Sequence, residues 1–192
     1  LELPVLICIT KIDLALETDG APSAELMEAM QVYQQIGYEV LLTSSVTGEG
    51  INTLRETLHE RHSVFIGKSG VGKTSLLNAL QPGLGLRVAE IGRTTGKGRH
   101  TTSYVEMFPL DGGGAVVDTP GVREFGLWDV DGDDLAFFFR EMRPYVGRCK
   151  FGLNCQHAEE PGCAIRQAVS DGQITPRRYQ SYLRLKQDGY NL

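Results

Sequence analysis

The chain has 192 residues, 41% of them hydrophobic and 22% charged, with a net charge of −5. That length buries a real core and suits one domain plus a small appendage; no apolar run approaches the ~20 residues of a membrane span, and no secretory signal is visible. The charge does not suggest a protein that coats nucleic acid: acidity dominates residues 1–86 and 105–148, while 87–104 and 149–192 are net basic and could face phosphates. The chain starts at Leu1 and not at Met, so an upstream segment is expected.

The elements follow in chain order. Val5 to Thr10 is a short continuous apolar run, as expected of a strand buried on both faces. Ser23 is placed to cap a helix running to about Ile36, with Gly37 as its stop. Tyr38 to Thr43 reads as a second buried strand, ending in Ser44-Ser45. Ile51 to about Arg61 reads as a helix, with Ile51, Leu54 and Leu58 on one face. Ser63 to Ile66 is a third strand, and Lys73 to Leu80 a helix. Ser103 to Pro109 and Ala115 to Val117 are two more strands around Gly112-Gly113-Gly114. Ala164 to Val169 and Pro176 to about Lys186 read as two final helices. The alternation predicts an α/β fold with a mostly parallel sheet over 1–135, and a small, mainly helical domain over 136–192.

Between the third strand and its helix lies Gly67-Lys68-Ser69-Gly70-Val71-Gly72-Lys73-Thr74, then Ser75, a full match to the G-x-x-x-x-G-K-[ST] phosphate loop. Its glycines let backbone N–H groups point at phosphates, and the helix adds its positive end. Lys73 is expected to reach the β- and γ-phosphates and Thr74 to offer its hydroxyl to Mg²⁺. Asp118-Thr119-Pro120-Gly121 follows a buried strand and fits an element whose Asp118 holds Mg²⁺ through water and whose Gly121 N–H senses the γ-phosphate.

Thr10-Lys11-Ile12-Asp13 is close to the Asn-Lys-x-Asp with which GTPases recognise guanine. A carboxylate at Asp13 accepts from guanine N1–H and N2–H₂ together, a pair of donors adenine lacks. Lys11 can lay its stem over the base, and Ser44-Ser45 falls where a backbone N–H would read the guanine carbonyl. The guanine motif precedes the phosphate loop, the reverse of the ordinary order, so the expected fold is a circularly permuted P-loop GTPase.

The Gly- and Arg-rich segment from Leu84 to Thr102 has the place of a switch, with Thr101 or Thr102 closing on Mg²⁺. Val122 stands where many GTPases have a water-orienting glutamine. His100 is the candidate for that task, against the plain alternative of a solvent-facing loop histidine. Finally, Cys149, Cys155, His157 and Cys163 lie within fifteen residues and suit a closed, structural Cys₃His zinc site. A disulfide pair is the alternative, at odds with an intracellular nucleotide enzyme.

With these motifs in this order, the chain resembles the circularly permuted, ribosome-associated bacterial GTPases of the RsgA (YjeQ, EngC) family. Thr10 stands where that family usually has asparagine, and the Cys149–Cys155 spacing is one residue longer than expected. The resemblance implies GTP hydrolysis, with GTP/GDP, Mg²⁺ and Zn²⁺ as cofactors, coupled to late maturation of the small ribosomal subunit. It implies that subunit and its rRNA as partners, a cytoplasmic monomer without a membrane, and an upstream OB-fold RNA-binding domain. Two rival readings remain open: an RNA-binding module with a structural nucleotide site, and a P-loop ATPase or kinase.

Overall fold

The computed structural model describes residues 3–15, 21–86, 106–118 and 132–188. The chain divides into two units, Leu1–Arg123 and Glu124–Leu192.

In the first unit, strand β1 (Leu6–Ile9) pairs in parallel with β2 (Glu39–Leu42), Leu6 opposite Glu39 and Ile9 opposite Leu42. Helix α1 (Ala24–Gln35) makes the crossover that parallel strands require. Ser23 caps it, its hydroxyl accepting from the Leu26 N–H at 3.3 Å, and Gly37 takes the left-handed φ of 89° just past its end. Helix α2 (Ile51–Leu58) stops three residues short of the expected end, because Glu60 adopts a left-handed φ of 56° and the chain turns directly into strand β3 (Arg61–Phe65). Arg61 and His62 therefore belong to the strand, where they pair with Gly114 and Ala115.

Strand β3 runs parallel to β5 (Gly114–Asp118), which pairs antiparallel with β4 (Glu106–Pro109) in a hairpin. Of the three strand pairings among the described residues, two are parallel. Gly114 crosses β3 so closely that a Cβ there would lie 2.2 Å from the Arg61 carbonyl oxygen. Helix α3 (Lys73–Leu80) buries Leu76, Leu77 and Leu80 against Ile51, Leu54 and Leu58 of α2 and Phe108 and Val116 of the hairpin. That leucine-rich core anchors the helix whose N-terminus closes the phosphate loop.

One expectation is corrected. Strands β1 and β2 are half-buried and not enclosed on both faces; among the described residues each has one strand neighbour. Their apolar runs over-read the burial for that reason. Cys8 of β1 is likewise half-buried at the margin of the core.

The second unit contains α4 (Leu135–Phe138), α5 (Ala164–Ser170) and α6 (Pro176–Asp188). Its core joins Leu135, Ala136, Phe139, Met142, Ile165, Ala168, Ile174 and Tyr182 to Cys149, Cys155 and Cys163. The Phe139 ring meets Tyr182 edge-on at 5.6 Å, and Arg178 lies over it at 4.7 Å while pairing with Glu141 at 2.6 Å. Of the three consecutive phenylalanines only Phe139 is buried; Phe137 and Phe138 stay exposed.

Candidate nucleotide site and metal centre

The two nucleotide motifs meet at the ends of β1 and β3. Beyond Ile9 the chain reverses sharply: Lys11 takes a left-handed φ of 58°, and Ile12 is buried, which pins the turn to the core. From this turn the Thr10 hydroxyl donates to the Val71 carbonyl at 2.6 Å and the Lys11 ammonium to the Gly70 carbonyl at 2.7 Å. The Lys11 stem passes close to Gly72, where a Cβ would lie 3.6 Å from it. The guanine motif is thus tied by two side chains to the tip of the phosphate loop.

Asp13 and Ser44 are joined as directly. The buried Ser44 hydroxyl donates to Asp13 Oδ1 at 2.5 Å and accepts from the Val46 and Thr47 N–H groups at 3.2 and 3.1 Å. Its single proton is committed to the carboxylate, so Asp13 is held as an acceptor with lone pairs left for further donors. Next to it Ser45 is exposed in a turn. Ser44 itself is fixed by β2, since Thr43 N–H donates to the Ile9 carbonyl at 2.8 Å across the strand ends.

In the phosphate loop, Gly70 and Gly72 adopt φ of 78° and 105°, conformations that side chains resist. Lys73 folds back, its ammonium donating to the Gly67 carbonyl at 2.7 Å and reaching the Lys68 carbonyl at 3.4 Å. Helix α3 starts at Lys73 with no side-chain cap on its first N–H groups. That places a positive helix end, Lys73, and the half-buried Ser69, Thr74 and Ser75 around one turn, in which Lys68 and Val71 are exposed. Asp118 ends β5 opposite Phe65, two residues before Gly67, so the backbone brings it to the same end of the sheet. His100, Thr101, Thr102, Gly121 and Val122 lie outside the described residues.

The candidate metal centre belongs to the second unit. Cys149, Cys155, His157 and Cys163 are all buried, and their donor atoms lie within 4.8 Å of one another. His157 Nδ1 is 3.5 Å from both Cys149 Sγ and Cys163 Sγ, and those sulfurs are 3.9 Å apart. A tetrahedral zinc with Zn–S of ~2.3 Å and Zn–N of ~2.0 Å has edges of about 3.5 Å (S to N) and 3.8 Å (S to S). The residues therefore fit such an ion, and the spacings exceed a disulfide's.

The electrostatics agree. Burial pushes the Cys155 thiol up to about 12 and the Cys163 thiol upward as well. It also pushes the His157 imidazole down, with Lys186 adding to the effect, which keeps the ring a neutral ligand. Without a cation these thiols stay protonated; a divalent ion would take the place of their protons. Peptide N–H groups of Ala164 and Arg166 point at Cys149 Sγ and Cys163 Sγ at 3.3 and 3.5 Å, as suits thiolates.

Sequence reasoning missed the shell around these ligands. The Glu160 carboxylate accepts from the N–H groups of Gln156, Ala158 and Glu159 at 2.8, 2.9 and 3.1 Å. Tyr179, Tyr182 and Lys186 of α6 donate to the carbonyls of the same loop. The one signal available was their spacing, which puts the three α6 residues on a single helical face.

Comparison with known proteins agrees with this geometry. The RsgA GTPase family model matches residues 1–128. The small ribosomal subunit biogenesis GTPase RsgA of Bacteroides fragilis is 43% identical over 185 residues, covering 96% of this chain and 58% of that protein. RsgA 1 of Vibrio vulnificus is 43% identical over 180 residues, covering 94% of this chain and 50% of that protein. The chain thus spans about half the length of the curated relatives it matches. Among solved structures, YjeQ from Thermotoga maritima superposes with a TM-score of 0.77 at 35% identity, over all of this chain and 62% of that one. YloQ, described as a circularly permuted GTPase, superposes with a TM-score of 0.67 at 33% identity, over 97% of this chain and 57% of that one. The reversed motif order, the loop that joins the motifs and these matches have one meaning: the chain belongs to the RsgA GTPase family.

Proposed function

We propose that this chain binds and hydrolyses GTP, and that hydrolysis is coupled to late maturation of the small ribosomal subunit. The observation that carries the reading is the pair of bonds from Thr10 and Lys11 to the carbonyls of Val71 and Gly70, which unites a guanine-reading turn and a phosphate cradle in one site.

In this reading Asp13 accepts from the guanine N1–H and N2–H₂, the Lys11 stem lies against the base, and the Ser45 N–H next to Ser44 faces the guanine carbonyl. Residues Gly67 to Ser75 wrap the phosphates, and Lys73 exchanges its carbonyl partners for the β- and γ-phosphate oxygens. Thr74, with Thr101 or Thr102 and, through water, Asp118, would hold Mg²⁺, which when bound neutralises charge on the β- and γ-phosphates. Gly121 senses the γ-phosphate. Val122 has no group to orient water, so His100 positions the nucleophile in the switch. Loss of the γ-phosphate then frees the switch and weakens the hold on the partner.

Cys149, Cys155, His157 and Cys163 hold zinc as a structural ion, since four protein donors leave no open coordination position. The relatives named for small-subunit biogenesis support the small ribosomal subunit as partner; contact with its rRNA, a monomeric state and a cytoplasmic location belong to the same proposed reading. No described helix is long and apolar enough to cross a membrane.

The test is turnover of GTP and of ATP by the chain, with purified small or large ribosomal subunits or none. The reading expects GTP to be preferred, turnover to be raised by small subunits alone, and both to vanish in Lys73→Ala. Equal use of ATP would move the chain to the ATPase class. Nucleotide binding without turnover under any condition would leave an RNA-binding module with a structural nucleotide site.

A further inference from the structure

The loop that carries His157 is held on both sides by groups that are not metal ligands. On one side the three N–H groups of Gln156, Ala158 and Glu159 all point to the Glu160 carboxylate. On the other, three successive carbonyls receive donors from α6. Gln156 accepts from the Tyr182 hydroxyl at 3.3 Å and the Lys186 ammonium at 3.0 Å. His157 accepts from the Tyr179 hydroxyl at 2.7 Å, and Ala158 from the same hydroxyl at 3.2 Å. Positions 179, 182 and 186 follow the i, i+3, i+7 pattern of one helical face.

Two features of His157 make this clamp matter. The residue sits at φ 58°, a left-handed conformation uncommon for a side chain with a Cβ, so something must hold it there. The ring atom facing the sulfurs is Nδ1 and not Nε2. Nδ1 lies one bond beyond Cγ, on the backbone side of the ring. Its reach is short, and its position follows the main chain closely. A small change in the His157 backbone would therefore carry Nδ1 out of range of a shared ion.

We propose that Tyr179, supported by Tyr182 and Lys186, is a positioning residue for the metal: by holding the carbonyls of residues 156–158 it fixes the left-handed turn that aims His157 Nδ1 at the three sulfurs. The proposal rests on reading the Cys/His cluster as a metal site. The Tyr179 hydroxyl bonds the carbonyls of His157 and Ala158, so it acts through the His157 peptide. Tyr182 adds its ring to the core, while the half-exposed Tyr179 can lose its hydroxyl with little loss of packing.

The test measures Zn²⁺ affinity of the whole chain by competition with a chromophoric chelator, for the parent, Tyr179→Phe, His157→Ala and the double variant. Tyr179→Phe is expected to weaken Zn²⁺ binding ~10- to 100-fold, as loss of an outer partner does. In the His157→Ala background the same change is expected to matter less than about twofold, because the group it positions is gone. An unchanged affinity in Tyr179→Phe, or an equal loss in both backgrounds, overturns the proposal, the latter marking a purely structural tyrosine. If His157→Ala does not fold, the visible spectrum of the Co²⁺-loaded Tyr179→Phe chain decides. Ligand-field bands displaced from the parent's support the proposal, and unchanged bands overturn it. A parent chain that binds neither Zn²⁺ nor Co²⁺ would overturn the metal reading itself, and this proposal with it.

Discussion

The Thr10 hydroxyl donates a 2.6 Å hydrogen bond to the carbonyl of Val71, linking two motifs 61 residues apart. Thr10 stands where the Asn-Lys-x-Asp pattern has its asparagine, and its hydroxyl makes this contact. The bond is exposed, so its net worth is that of an ordinary hydrogen bond, about 1 kcal/mol, or roughly fivefold in an affinity that depends on it. Thr10→Val keeps the shape and removes the donor; it is expected to weaken GTP binding by about that factor. Thr10→Asn restores a donor and is expected to stay within about twofold of the parent. Titration with a fluorescent GTP analogue reads both, and an unaffected Thr10→Val would mean that the bond does not organise the site.

Asp13 is the sharper test of base choice. Its carboxylate, oriented by Ser44, offers acceptors only. Asp13→Asn converts one of them to a donor that opposes guanine N1–H and N2–H₂ but matches a purine with a carbonyl at C2. Hydrogen bonds to a charged partner contribute about 1.5–3 kcal/mol each, so the loss of GTP affinity is expected to be on the order of tenfold or more. Xanthosine triphosphate should gain in the same variant. Competition among GTP, ATP and xanthosine triphosphate at one site checks the pattern, and an undiminished preference for GTP would remove Asp13 from the base site.

What the sequence disclosed was whatever depends on near neighbours. The phosphate loop needs its glycines and lysine at fixed short spacings, and Ser23 and Gly37 bracket a helix through local backbone chemistry. The four residues that could hold a metal ion stood out by side-chain chemistry alone. The rest depends on distant partners. Arg61 and His62 are strand because Gly114 and Ala115 come to lie beside them, which no local pattern encodes. Strands β1 and β2 carry fully apolar cores yet are half-buried, since burial is decided by what packs on them. Tyr179, Tyr182 and Lys186 share a helical face, but nothing local in the sequence names the loop carbonyls they hold.

Gly114 supplies a stability test outside both sites. It has a φ of 77°, and a Cβ would press on the main chain of Arg61, with the carbonyl oxygen at 2.2 Å and the nitrogen at 2.6 Å. Backbone atoms in a parallel ladder cannot swing aside as a flexible side chain would. Gly114→Ala combines left-handed strain with overpacking, each of about 1–3 kcal/mol, and is expected to lower the Tm of the first unit by several degrees. Gly112→Ala is the control, since its Cβ would meet only the His59 side chain, at 3.3 Å. Thermal unfolding followed by circular dichroism compares the two, and equal Tm values would show that β3 and β5 separate at small cost.

Metal removal should divide the molecule along its two cores. Among the described residues the core cluster of the second unit has eleven buried members, of which three are the cysteines, so with the metal gone a large part of that interior consists of thiols. A core this small needs a staple, and structural zinc in small peptides contributes about 10–16 kcal/mol of apparent binding energy at neutral pH. The first unit has a leucine-rich cluster of its own, Ile51, Leu54, Leu58, Leu76, Leu77, Leu80, Phe108 and Val116. A strong chelator is therefore expected to release one zinc per chain and to melt α5 and α6, lowering the helical circular dichroism signal, while GTP affinity stays within about threefold. Cys155→Ser should reproduce that state without chelator. Full helicity retained after complete metal release would show that packing of Phe139, Met142 and Tyr182 suffices, and would reduce the ion to an accessory.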